Sequence, residues 1–171
     1  MKVAIIYYSE TGNTEKAAGY IREGLEKGNI ETALFNLREG EPDDSFMKEC
    51  KGVICGSPAY YANMCWQMKK WLDTSKNCWT AGKLGGAFAT AGCSHGGGDV
   101  AVLTIIQHLL VKGMMVYSSG AEYGRPVIHL GPVGIKSTAQ SLEVLEGQKE
   151  LFVLYGERFS RKINELFTGN N

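Results

Sequence analysis

The sequence predicts a parallel α/β sheet with helices packed on both of its faces. Strand-like and helix-like stretches alternate five times along the 171 residues. The strand-like stretches KVAIIYY (2–8) and KGVICGS (51–57) are apolar almost without a break, as strands covered on both sides are. The helix-like stretches instead gather their apolar residues on one face, at a period of about 3.6 residues.

Residues 2–8, rich in Val, Ile and Tyr, form the first strand. Residues 13–27 form a helix, with Ala17, Ala18, Ile21 and Leu25 on one face and Gly28 placed to end it. IETALFNL (30–37) alternates and reads as the second strand, and 43–50 as a short helix. The third strand is 51–57. A helix over 64–75 follows, with Met64, Met68, Trp71 and Leu72 sharing a face; Met64, Trp66 and Trp71 would pack it against the sheet or a second subunit. LGGAFAT (84–90) is the fourth strand, 98–112 a helix and MMVYS (114–118) the fifth strand. Residues 118–141, with several Gly and Pro, read as an irregular insertion. Residues 142–167 end in an amphipathic helix carrying Leu151, Leu154, Tyr155, Phe159 and Ile163. With no repeat, low-complexity tract or linker, residues 1–171 read as one domain.

Composition narrows the class. Eighteen basic residues balance eighteen acidic ones, so no charge excess points to nucleic acid or a membrane surface. No apolar stretch is long enough to span a bilayer, and 2–8 is too short for a signal peptide, so a soluble cytoplasmic protein is expected. The five cysteines, Cys50, Cys55, Cys65, Cys78 and Cys93, include no CxxC pair, which argues against a disulfide framework or a zinc site. Cys55 reads as core, and Cys93 falls in a glycine-rich loop.

In sheets of this kind ligands bind beyond the carboxyl ends of the strands. Three loops there carry the informative residues. Ser9-Glu10-Thr11-Gly12-Asn13-Thr14 follows the first strand. Gly12 permits a tight turn, the N–H groups of the next helix favour an anion, and Ser9, Thr11 and Thr14 add hydroxyls. This makes a phosphate cradle without a fixed positive charge; the rival reading is that Thr11 or Asn13 caps the helix. The loop lacks GxxxxGK[ST], so it is not a nucleotide triphosphatase loop. Ser57-Pro58-Ala59-Tyr60-Tyr61-Ala62-Asn63-Met64 follows the third strand. Pro58 shapes a turn there, and Tyr60 and Tyr61 either stack on a flat ring or pack beneath the loop. Asn63 either reaches a ring edge or caps the next helix. Thr90-Ala91-Gly92-Cys93-Ser94-His95-Gly96 follows the fourth strand. Its glycines allow close approach to a ligand. His95 is the one histidine in a candidate loop, whereas His108 falls in an apolar helix and His129 in the insertion. Gly96 to Ala101 fits G-x-G-x-x-A, but not after the first strand, where a dinucleotide fingerprint belongs.

Together these loops resemble a family. SETGNT resembles the phosphate loop of flavodoxin-like FMN proteins. SPAYYANM, followed by Gln67-Met68-Lys69 and Trp71-Leu72-Asp73 and later by Ser94-His95-Gly96-Gly97, resembles the WrbA-type NAD(P)H:quinone oxidoreductases and related NADPH-dependent FMN reductases. The similarity spans residues 2–118; Ala62 stands where that family usually has glycine, and Gly98 and Asp99 replace its Gln-Glu pair. The resemblance implies a flavodoxin-like three-layer sandwich with a five-stranded parallel sheet in the order 2-1-3-4-5. It implies FMN, with the phosphate on residues 9–14 and the ring flanked by 57–64 and 90–96. It also implies NAD(P)H as electron donor, with His95 and the Tyr60–Tyr61 pair near the face used by nicotinamide and quinone.

The expected function is therefore an FMN-dependent oxidoreductase that takes hydride from NAD(P)H and reduces a quinone or other small acceptor. His95 is its candidate catalytic residue, donating a hydrogen bond to the acceptor. A homo-oligomer, dimer or tetramer, is expected from how commonly soluble chains pair. The alternative is a flavodoxin-type electron carrier that docks on protein redox partners, against which the neutral charge argues. A phosphorelay receiver would need an acidic residue where Gly56 and Ser57 stand and a lysine at Ser118. A C-x5-R phosphatase would need arginine at Asp99.

Overall fold

The computed structural model describes residues 1–136 and 148–168. Along the chain lie β1 (Lys2–Tyr7), α1 (Asn13–Lys27), β2 (Glu31–Asn36), α2 (Asp44–Glu49), β3 (Gly52–Tyr60), β4 (Asn63–Met64), α3 (Trp66–Thr74), β5 (Leu84–Ala91), α4 (Gly98–Val111), β6 (Met115–Val116), β7 (Val133–Ile135) and α5 (Lys149–Phe167). The sheet runs β2-β1-β3-β5-β6, all parallel, which is the expected order for the five strands read from the sequence.

The strands are apolar on both sides because both sides are covered. Val3, Ile5, Ile54 and Phe88 point to the layer of α1 and α5, where they meet Ile21, Leu25, Phe152 and Phe159. Ala4, Ile6, Val53 and Cys55 point to α2, α3 and α4, where they meet Met47, Met68, Leu72 and Ile105. Glycines let α1 and α5 approach until backbones touch: a Cβ on Gly24 would lie 2.0 Å from the Val153 carbonyl oxygen.

The structure departs from expectation in three places. First, β3 does not end at Ser57 but runs to Tyr60, so Pro58 sits in a strand rather than a turn. Pairing of β1 with β3 stops at Gly56, so the missing Pro58 N–H costs no ladder bond on that side. Second, the chain then turns back as a hairpin into β4, with Tyr61 and Ala62 at φ 49° and 59°, the positive φ of a type I′ turn. This delays α3 to Trp66, with Cys65 before it as its cap residue. Third, the fifth strand is interrupted. β6 pairs with Leu84 and Gly85 of β5, and β7 returns to pair with Ala89, Thr90 and Ala91. The expected insertion is therefore partly sheet, and its residues 137–141 lie outside the described residues. The last helix, Lys149–Phe167, carries the expected apolar residues; residues 142–147 lie outside the described residues.

The excursion between β6 and β7 is pinned to α5. Buried Arg158 donates from Nη1 to Ser119 Oγ at 3.0 Å and to the Pro126 carbonyl at 2.9 Å. Lys162 pairs with Glu122 at 2.6 Å, and Ile128 is buried in the core. Of the three residues expected to pack against the sheet or a second subunit, Met64 and Trp71 are buried in this chain and Trp66 is exposed.

Candidate functional site

A cleft of about 210 Å³ opens at the carboxyl ends of β1, β3 and β5. Glu10, Thr11, Asn13, Thr14, Pro58, Ala59, Tyr60, Thr90, Ala91, Gly92 and Lys136 line it. Three predicted loops thus converge on one place. The remaining predicted residues lie behind or beside the lining, and most have a structural task.

In the first loop, neither Thr11 nor Asn13 caps α1. The cap position is Gly12, left-handed at φ 86° and without a side-chain bond, while Asn13 Nδ2 donates to Thr11 Oγ1 at 3.1 Å. Ser9 does the capping work from further back, its Oγ accepting the Glu15 N–H at 3.2 Å. Its own N–H donates to Asn36 Oδ1 at 3.3 Å, anchoring the loop to the end of β2. The N–H groups at the start of α1 have no carbonyl one turn back, the usual condition of a helix start. Thr14 is buried, and its Oγ1 lies 2.8 Å from Thr90 Oγ1, joining the first loop to the end of β5.

In the second loop, Ser57 Oγ accepts the Cys65 N–H and donates to the Pro58 carbonyl, each at 2.8 Å, which closes the base of the hairpin. Asn63 is not a helix cap: its Oδ1 accepts from the Met64 N–H and the Thr104 hydroxyl, tying β4 to α4. Tyr60 lines the cleft and is half-exposed, and Tyr61 at the hairpin tip is fully exposed. Burial pushes the Tyr60 phenol up from its ordinary value, so it stays protonated. Ala62 packs against Gly97, where a Cβ would come within 2.3 Å of the Ala62 Cα. In the third loop, Cys93 and His95 are exposed, and neither they nor Gly96 line the cleft. His108 is structural, with Nδ1 2.7 Å from the Thr104 carbonyl oxygen.

Sequence reasoning missed Lys136, which lines the cleft directly after β7. Its N–H donates to the Ala91 carbonyl at 2.8 Å. The loop of residues 9–14 itself carries no basic side chain, as expected; Lys136 adds one elsewhere in the lining. Three residues of strand are too few for a pattern to show, so this stretch read as irregular. Among the described residues no cluster of His, Cys, Asp and Glu could hold a metal ion, and no helix is long and apolar enough to cross a membrane.

Residues 5–88 match the family model for flavodoxin. A flavodoxin from Clostridium saccharobutylicum is 46% identical over 168 residues, covering 98% of this chain and 100% of that one. The chain belongs to the flavodoxin family. An archaeal flavodoxin structure superposes with a TM-score of 0.70 at 25% identity, over 96% of this chain and 99% of that one, so the fold is the flavodoxin-like sandwich. An NAD(P)H dehydrogenase (quinone) of Chromohalobacter salexigens is 28% identical over 151 residues, 74% of each chain. Flavodoxin-family proteins bind FMN. The full-length flavodoxin match overturns the expectation of an NAD(P)H:quinone oxidoreductase and favours the electron-carrier alternative. The role expected of His95 toward a quinone belonged to the overturned reading.

Proposed function

We propose that residues 1–171 form one FMN-binding electron-carrier domain that exchanges electrons with protein redox partners. The observation that carries this reading is the end-to-end similarity to a flavodoxin at 46% identity. When bound, FMN supplies reversible storage of one or two electrons.

The cleft suits such a group. Thr11, Asn13 and Thr14, with the first N–H groups of α1, offer neutral donors and the helix dipole to a phosphate ester. Pro58 to Tyr60 on one side and Ala91–Gly92 on the other offer walls for a flat ring. A Cβ on Gly12 or Gly92 would meet no protein atom within 4 Å, so both glycines face open space. The chain's task is binding and orientation: the Thr14–Thr90 bond fixes the floor, and the hairpin bonds of Ser57 hold the Tyr60 wall in place. Tyr60 and Tyr61 give the rim an aromatic surface, and the chain's formal charge is zero. A partner would therefore be held by apolar contact more than by long-range steering.

An anaerobic titration of the FMN-loaded protein tests the reading. A carrier keeps its oxidised visible spectrum when mixed with NADPH or NADH alone, and is reduced by dithionite in two separable one-electron steps. Prompt bleaching by either nicotinamide without another protein would overturn the proposal.

A further inference from the structure

We propose that the outer face of α4 is an interface between two copies of this chain, crossed antiparallel about a two-fold axis at Gln107. The other long helices turn charge to solvent: α1 carries the Arg22–Glu26 pair, α3 the Lys69–Asp73 pair and α5 the Lys162–Glu165 pair. The helix α4, GDVAVLTIIQHLLV, buries Ala101, Val102, Ile105, Ile106 and Leu109, and is aliphatic on its outward side as well. Val100 is 45% exposed, Leu103 39%, Leu110 56% and Val111 89%, and Met115 in the edge strand β6 is 44% exposed. Asp99 and Gln107 are the other exposed residues of the helix. A helix that is apolar all round is normally covered all round.

Three observations select a second copy as the cover. Val100, Leu103, Gln107 and Leu110 follow the alternating three- and four-residue spacing of a seam that packs against a helix of the same spacing. The seam holds one polar group, and that group is self-complementary: across a two-fold axis each Gln107 amide nitrogen faces the other's carbonyl oxygen, while Leu103 meets Val111 of the other copy. No Asp, Glu, Lys or Arg stands between Val100 and Val111 for an oppositely charged partner to read, and a chain of formal charge zero does not repel its own copy. At roughly 60–120 Å² for a fully exposed aliphatic side chain, the five exposed ones offer about 150–350 Å² of apolar area. An interface about 60% apolar would then bury about 300–550 Å² per copy, less than the roughly 800 Å² of a standard one, so the dimer is reversible rather than obligate. Gln107 stands about 13 Å along α4 from Gly98, the end nearer the cleft. The crossing point thus lies away from the cleft, and the inference is independent of the FMN reading.

The test is sedimentation velocity on the full-length protein across a concentration series. The parent should pass reversibly from monomer to dimer. Gln107→Glu and Gln107→Lys each set two like charges face to face on the axis, and each should weaken the dimer at least about tenfold. An equimolar mixture of those two variants should recover the dimer, because glutamate then meets lysine; a role confined to the fold of one chain would not be rescued by mixing. Leu103→Asp should weaken the dimer too, whereas Leu166→Gln, at an exposed apolar residue of α5, should leave it unchanged. A parent that stays monomeric up to about 1 mM would overturn the proposal and leave the face of α4 to a different protein. A dimer indifferent to both Gln107 variants would place the contact elsewhere and overturn it, as would a mixture of the two that stays monomeric.

Discussion

Alanine at Gly24 tests the packing that holds the site's helix in place. Gly24 lies where α1 crosses α5, and a Cβ there would be 2.0 Å from the Val153 carbonyl oxygen and 2.8 Å from the Glu157 nitrogen. Both are backbone atoms, so no rotamer change relieves the clash. Carbon–oxygen contacts are comfortable from about 3.3 Å, so α5 must withdraw by roughly an ångström at this point. A gap of about 0.5–1 Å along the contact forfeits a quarter to a half of its dispersion energy, and overpacking of this kind costs about 1–3 kcal/mol. Against this, alanine is better than glycine inside a helix by about 1 kcal/mol. The clash dominates, because it moves a whole helix rather than one side chain. Gly19 supplies the control in the same helix: a Cβ there meets nothing within 4 Å, so alanine collects the helix preference without a clash. The assay is thermal unfolding of the FMN-free protein by far-ultraviolet circular dichroism, since a bound ligand would shift the midpoint by itself. With about 2–4 °C per kcal/mol for a chain of this size, the net loss of up to about 2 kcal/mol should lower the Tm of Gly24→Ala by up to about 8 °C, and Gly19→Ala should raise it by about 2–4 °C. A Gly24→Ala protein as stable as its parent would refute the close-approach reasoning.

Three further outcomes follow from the geometry. Thr14→Val leaves the buried Thr90 hydroxyl without its 2.8 Å partner and should cost about 1–3 kcal/mol in urea unfolding; adding Thr90→Val should restore much of that stability while FMN affinity stays low. Arg158→Met removes the donors to Ser119 and the Pro126 carbonyl, so limited proteolysis should cut between residues 118 and 127 faster than in the parent, with cleavage elsewhere unchanged. Hydrogen bonds from Lys48, then Lys76 and the Trp79 indole, hold the Asp44 carboxyl well below the usual carboxylate range. A lowered folded-state value adds stability above the unfolded value of about 3.9 and loses it as pH falls below, so Asp44→Asn should show a shallower fall in Tm than the parent between about pH 5 and pH 2.

The sheet was legible because its strands are buried on both faces, and an unbroken apolar run needs no other explanation. What the sequence hid were features decided by a neighbour. Pro58 reads as a turn residue, yet it lies in β3, where the pairing with β1 has already stopped at Gly56 and asks nothing of its nitrogen. The hairpin turn carries Tyr61 and Ala62 where Asn-Gly would have announced it, and the bonds of Ser57 and Asn63 hold it instead. The site was legible in its first members, since a Ser/Thr/Gly-rich loop between a buried strand and a helix has few other uses. Its fourth contributor was not. Lys136 enters through a three-residue strand whose pairing partner, the end of β5, lies more than forty residues upstream.

The choice between enzyme and carrier turned on charge, and there the whole-chain sum was the wrong quantity. A formal charge of zero removes long-range steering toward an oppositely charged partner. It does not remove docking, which depends on what the rim presents at contact. Here Glu10 is held by Tyr8 and Arg38, Lys136 and Tyr60 line the cleft with Tyr60 half-exposed, and Tyr61 stands exposed at the hairpin tip. Such a rim favours short-lived apolar encounters, whose rates should respond little to salt. Neutrality therefore bears on how a carrier of this kind meets its partner, and leaves untouched whether it is a carrier.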